Sequence, residues 1–190
     1  MPRYLLTFTG PRGAGKDTAL GKVLEEYPRI HRIVPCTTRS PRIGEVNGIH
    51  QYFISEQVFA EKERNCEFVF VNPMNDSGYR SGTLKSELLH DICAVDITAY
   101  GANIMRDYVL LNGGSVLSFF IYAGYRTRYK RIRKRQPDKT PLEVKQMMIG
   151  DPTIPNPESH PDWYKKIHNP NKGLEQALNN VYSYIDEFLK

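Results

Sequence analysis

The sequence is poor in cysteine: it has only Cys36, Cys66 and Cys93, an odd number without paired spacing. That excludes a disulfide framework and a cysteine-based zinc site, and all three are read as small buried hydrophobes. No apolar run approaches the length of a membrane span, and the apolar opening Tyr4 to Phe8 is too short for a secretory leader. The chain is therefore expected to be soluble and cytoplasmic. No internal repeat or low-complexity tract interrupts its 190 residues, which suit one domain with a substantial core.

Excess positive charge is also scarce outside one segment. The formal net charge is +5, yet Arg126, Arg128, Lys130, Arg131, Arg133, Lys134 and Arg135 place seven basic residues within ten positions. Without them, 19 basic residues face 21 acidic ones. A nucleic-acid binder spreads its basic footprint over several elements, so nucleic acid is not the expected partner. One concentrated run fits an arm closing over a phosphate-rich ligand; a solvated helix face is the plain alternative.

The most informative segment is Gly10-Pro11-Arg12-Gly13-Ala14-Gly15-Lys16-Asp17-Thr18. An apolar, β-prone run, Tyr4 to Thr9, precedes it, and Ala19, Leu20, Val23, Leu24 and Tyr27 follow at helical spacing. A glycine-rich turn between strand and helix aims backbone N–H groups and the positive end of a helix dipole at one point. The pattern is G-x-x-x-x-G-K, a phosphate-binding loop in which Lys16 reaches the terminal phosphates of a nucleoside triphosphate. Asp17 stands where that motif carries a magnesium-binding hydroxyl, and Thr18 follows it.

Further β-like runs fall at His31–Cys36, Glu67–Asn72, Asp91–Ile97 and Ser115–Tyr122. Helical patterns lie at Lys16–Tyr27, Thr83–Leu89, Ala102–Leu111 and Tyr125–Arg135, and an apolar stripe from Leu174 to Phe188 marks a C-terminal helix. This alternation predicts an α/β fold, a three-layer parallel sheet with helices on both faces. Two turn-rich regions, Thr37–Asn47 and Asn72–Gly82, flank Gln51–Val71, read as a small insert with short strands of its own. Four prolines make Asp151–Asp162 a stiff extended loop.

The stretch Thr37-Thr38-Arg39-Ser40-Pro41-Arg42-Ile43-Gly44-Glu45-Val46-Asn47-Gly48 resembles the guanylate kinase pattern T-T-R-x-P-R-x-G-E-x-x-G. Two guanidinium forks suit a phosphate dianion, since each offers bidentate bonds. Tyr52-Phe53-Ile54-Ser55 is similar to the family's next strand, and Val95-Asp96-Ile97 with Gly101 to its D-x-D-x-Q-G. The basic run is similar to its lid, and Ile167-His168-Asn169 to its adenine-side V-N-D.

The resemblance implies a P-loop core (1–36, 83–125 and 160–190), a monophosphate-binding insert (about 37–82) and a helical lid (about 126–159). It implies ATP-dependent phosphoryl transfer to a nucleoside monophosphate, GMP or dGMP first, with Mg2+. Lys16, Arg39, Arg131 and Arg135 would be catalytic. Gly10, Arg12, Gly13, Ala14, Gly15, Lys16, Asp17, Thr18 and Asn169 would bind ATP. Arg39, Arg42, Glu45, Tyr52, Tyr79, Ser81, Thr83 and Asp96 would face the acceptor, and Asp17, Thr18 and Asp96 would hold the metal, partly through water.

The departures concentrate on base recognition. Pro35, Phe70, Thr83 and Thr98 occupy the family's guanine-binding positions, and only Thr83 keeps comparable chemistry. Gln51 and Ser81 replace two phosphate-binding tyrosines, with Tyr52 and Tyr79 close by as substitutes, and a lid arginine is missing near Gln146 or Met147. A different acceptor therefore stays open, another (deoxy)nucleotide or ribose 1,5-bisphosphate, as does a non-catalytic guanylate-kinase-like binding module.

Overall fold

Alternating side-chain faces in three neighbouring strands decide the architecture. The computed structural model describes residues 2–42, 44–72, 78–151 and 161–190. In β1 (Tyr4–Thr9), β7 (Ile92–Asp96) and β8 (Ser115–Tyr122), residues Leu6, Phe8, Ile92, Ala94, Leu117, Phe119 and Ile121 point to one face of the sheet. There they meet Ala19, Leu20 and Val23 of α1 (Lys16–Glu26) and Ala177, Leu178, Val181 and Ile185 of α6 (Leu174–Phe188). Leu5, Cys93 and Val95 point the other way, onto Met105 and Val109 of α3 (Ala99–Leu111). A sheet apolar on both faces must be covered on both, which is why its strands are parallel and joined by helices.

The sheet has five strands in the order β2-β7-β1-β8-β9, all parallel, with β2 at His31–Arg32 and β9 at Tyr164–His168. The phosphate loop leaves the C-terminal end of central β1, where an open α/β sheet places its ligand crevice. A second sheet, β4-β3-β6-β5, combines β3 (Cys36–Thr37), β4 (Tyr52–Phe53), β5 (Phe68–Asn72) and β6 (Ser81–Leu84). α2 (Glu56–Arg64) closes it, its first turn capped by Ser55, and buries Phe59 against Cys36 and Leu84. α4 (Tyr125–Arg135) and α5 (Pro141–Ile149) share a small core of Ile132, Val144 and Met148.

Several expectations are corrected. His31–Cys36 is two short strands in different sheets, because Pro35 has no N–H to continue a ladder and Val34 N donates to Glu87 Oε2 instead. Thr83–Leu89 is not a helix: Thr83 and Leu84 pair in β6, and a single 3-10 turn follows at Lys85–Leu88. Cys36 and Cys93 are buried, their thiols pushed up to about 11 by desolvation, but Cys66 is exposed at φ 54° after α2. Of the proline-rich loop, residues 152–160 lie outside the described residues. Among the described residues no helix is long and apolar enough to cross a membrane.

Candidate active site

The first N–H groups of any helix lack intrahelical acceptors. At the start of α1 no side chain supplies one, since the capping position is Gly15. These donors stay available at the end of β1, in a cavity of about 760 Å3 that Gly10, Arg12, Gly13, Gly15, Lys16, Asp17 and Thr18 help to line. If the N–H groups of such a loop serve a ligand, its carbonyls need other partners. Here three side chains supply them. Arg128 Nε donates to Arg12 O at 2.9 Å, Arg131 Nη1 to Ala14 O at 3.0 Å and to Gly13 O at 3.5 Å, and Asn169 Nδ2 to Ala14 O at 2.8 Å. Gly15 has φ +102°, and a Cβ there would lie 2.4 Å from Asn169 Nδ2.

Arg131, a catalytic lid arginine by the resemblance, lines the cavity and is bonded to the loop carbonyls. Its second nitrogen, Nη2, donates to Pro170 O at 2.9 Å and Asn169 Oδ1 at 3.3 Å, so the guanidinium braces the loop while lining the cavity. Desolvation lowers its pKa. Asn169, expected beside adenine, is buried and serves as part of the same brace. Arg135, one turn further along α4, also lines the cavity: it is largely exposed and lies 3.8 Å from Asp17 Oδ2.

Lys16 Nζ lies 3.9 Å from Asp96 Oδ1, at the end of β7 beside the loop. Asp96 and Asp17 are hydrogen-bonded to each other. Burial pushes the Asp96 carboxyl well above the usual range, with Lys16 opposing, while the bond to Asp96 holds Asp17 below it. Two carboxylates this close repel each other when both are ionised, and a hard divalent cation relieves that repulsion. With the Thr18 hydroxyl on the cavity wall, the donor set is all oxygen. It fits Mg2+, which takes one or two carboxylates and completes its shell with water and phosphate oxygens.

The opposite wall carries the arginine motif. Arg39 Nη1 and Nη2 donate to Glu45 Oε2 and Oε1 at 2.6 and 2.7 Å, and Glu45 Oε2 also accepts from Arg42 N at 2.7 Å. Arg39 Nη1 further donates to Ser40 O at 3.0 Å. The Nε edge of Arg39 has no partner among the described residues, and Arg39 and Arg42 both line the cavity. Glu45 is therefore placed behind the arginines, holding them, and not on the cavity wall. Thr37 Oγ1 donates to Arg80 O and Thr38 Oγ1 accepts from Arg80 N, which ties this segment to the one bearing Tyr79 and Ser81.

Tyr79, Ser81, Thr83 and Asp96 line the cavity with Gln51. Tyr52 does not: its ring packs in the cluster of Cys36, Phe59 and Leu84, and its hydroxyl donates to Glu87 Oε1 at 3.3 Å. The β pleat explains the correction, since adjacent residues face opposite sides and Gln51 takes the inward one. Phe70 forms an apolar section of wall, 4% exposed, edge-on to Tyr100. Thr98 caps α3, accepting from Gly101 N at 3.1 Å. Sequence reasoning missed Asn72, which lines the cavity and donates to Ser81 Oγ at 3.0 Å, Asp151, which also lines it, and Arg128, which bonds the loop at Arg12. Alternation along β5 two residues beyond Phe70 is the signal that would have found Asn72.

The guanylate kinase family model matches residues 3–187 of the chain. A guanylate kinase of Carboxydothermus hydrogenoformans is 30% identical over 187 residues, spanning 95% of this chain and 86% of that protein. One from Trichormus variabilis is 34% identical over 140 residues, 70% of this chain and 67% of the relative. Among solved structures, a guanylate kinase from Anaplasma phagocytophilum covers 97% of this chain and 85% of its own at TM-score 0.64 and 20% identity, a likeness of fold.

Proposed function

We propose that this chain, which belongs to the guanylate kinase family, transfers the γ-phosphoryl group of ATP to a nucleoside monophosphate, with GMP or dGMP the leading acceptor. The family makes it an ATP-dependent phosphotransferase. The observation that carries the reading is the shared cavity: the uncapped start of α1 with Lys16 and the arginine pair Arg39 and Arg42 open into the same space.

Phosphoryl transfer asks a protein for alignment and charge neutralisation more than covalent chemistry. Backbone N–H groups of Gly13 and of Gly15 to Thr18, with the Lys16 ammonium, would hold the donor's phosphates. Asp17, Thr18 and Asp96 would hold Mg2+, which when bound neutralises charge on the phosphate oxygens. Arg39, oriented by Glu45, and Arg42 would grip the acceptor phosphate in line with the donor. Arg135 would meet the charge that develops on the transferring group. No general base is needed, because the attacking phosphate oxygen is already ionised at neutral pH. In this scheme the four-stranded sheet is the acceptor-binding insert, α4 and α5 belong to the lid, and the protein works in the cytoplasm.

A coupled ADP-release assay with ATP, Mg2+ and GMP tests the proposal. Acceptor-dependent ADP release supports it; ADP release independent of any monophosphate contradicts it. A second reading, a different acceptor, is favoured by the wall itself. Phe70 offers no hydrogen-bond acceptor there and Thr98 is engaged in capping, so the same assay is extended to dGMP, the other nucleoside monophosphates and ribose 1,5-bisphosphate.

A further inference from the structure

Arg128 is a puzzle on energetic grounds. It is 3% exposed, next to the apolar cluster of Ile132, Val144 and Met148, and a buried guanidinium is costly to desolvate. A leucine would serve packing better. Its Nε donates to Arg12 O at 2.9 Å, and its Nη2, without a hydrogen-bond partner among the described residues, lies 3.7 Å from Asp151 Oδ2. That same Asp151 oxygen accepts from Arg12 N at 2.5 Å, and the Asp151 side chain is 8% exposed. Both backbone groups of Arg12 are thus held, the carbonyl by a cation and the N–H by an anion, and the two holders face each other. The backbone of α4 approaches equally closely: a Cβ on Gly13 would stand 2.9 Å from Arg128 O.

We propose that Arg128 and Asp151 are positioning residues that clamp the apex of the phosphate loop at Arg12 and hold it in the form that receives ATP. A paired, buried ion couple contributes little to net stability, so its use here is directional: it fixes which way the Arg12 backbone faces. The loop's other outward carbonyls are already held by Arg131 and Asn169, and Arg12 is the position those two do not reach. The clamp rests on the reading that this loop binds ATP. It predicts a separation of the two substrates, because the clamp touches the donor side of the cavity and not the Arg39–Arg42 side.

The test compares wild type, Arg128→Met, Asp151→Asn and the double variant Arg128→Met/Asp151→Leu, with ATP·Mg2+ binding by calorimetry and KM for both substrates. Loss of a charge-assisted bond to the loop weakens ATP binding by roughly ten- to a hundredfold and leaves the acceptor KM within about twofold. The double variant, which exchanges an ion pair for apolar groups, keeps or raises Tm while still losing ATP affinity. That combination is one a merely structural role does not produce. Full ATP affinity in the folded double variant overturns the clamp. So does a loss shared equally by ATP and acceptor that follows Tm. A wild type that binds no ATP removes the underlying reading and the clamp with it, whereas a binding wild type with unaffected variants removes the clamp alone.

Discussion

The guanidinium of Arg39 and the carboxylate of Glu45 meet fork to fork, with Nη1 2.6 Å from Oε2 and Nη2 2.7 Å from Oε1. This pairing holds the Glu45 carboxyl down to about 2. A depressed carboxyl stabilises the fold above its unfolded pKa, and that contribution is lost as pH falls through the folded value. The two side chains are 13% and 19% exposed, so the pair is only partly screened. Glu45→Gln is expected to cost about 1–2 kcal/mol at neutral pH. Measured by thermal melts, the Tm gap between Glu45→Gln and wild type should narrow as pH drops from about 5 towards 2. A gap independent of pH contradicts this assignment. The acceptor KM should rise in the variant with ATP KM unchanged, because Arg39 loses its orientation.

Gly15→Ala tests the brace behind the loop. Alanine at positive φ costs roughly 1–2 kcal/mol by itself. Its Cβ also collides with an amide that Ala14 O and Arg131 hold in place. ATP affinity should fall by about tenfold or more. Wild-type affinity by calorimetry would show that Asn169 moves freely and braces nothing.

Base selectivity should be weak. A site that reads guanine needs an acceptor for its ring N–H and amino group, and each one missing is worth about 1–3 kcal/mol. At Phe70 the wall is aromatic, and Thr98 is bonded to the start of α3. The ratio of kcat/KM for GMP over AMP is expected below roughly a hundredfold. Thr98→Asp should raise it without loss of stability, since Asp caps a helix as well as Thr does. A large wild-type ratio would mean that Asn72, Ser81 and Thr83 read guanine by themselves.

How much of this was legible beforehand depended on how local the signal was. The phosphate loop, the arginine motif and the parallel sheet were readable because each is written in contiguous residues: a glycine spacing, a twelve-residue pattern, apolar runs between helical ones. The strand Tyr164–His168 was not, because Lys165 and Lys166 are exposed and blur its alternation. α5 had readable signs in the capping box of Thr140 and Glu143 and in Pro141 at its first turn. The basic run was legible as one cluster, yet the different contacts of its arginines came only from three dimensions. Arg128, Arg131 and Arg135 recur at intervals of three and four, a helical stripe facing the loop. Arg128 and Arg131 bond the loop's carbonyls, and Arg131 and Arg135 line the cavity. Nothing in the sequence says that a guanidinium will bond a carbonyl in place of a phosphate.

The most direct measurement follows a radiolabelled γ-phosphate from ATP in the presence of Mg2+ and GMP, comparing wild type with Lys16→Ala. The account expects label in a nucleoside diphosphate with wild type and none with the variant, whose fold stays intact because among the described residues the Lys16 ammonium makes a single, long ion pair, 3.9 Å from Asp96. Undiminished transfer by Lys16→Ala, or wild-type ATP binding with label passed to no monophosphate, would contradict it.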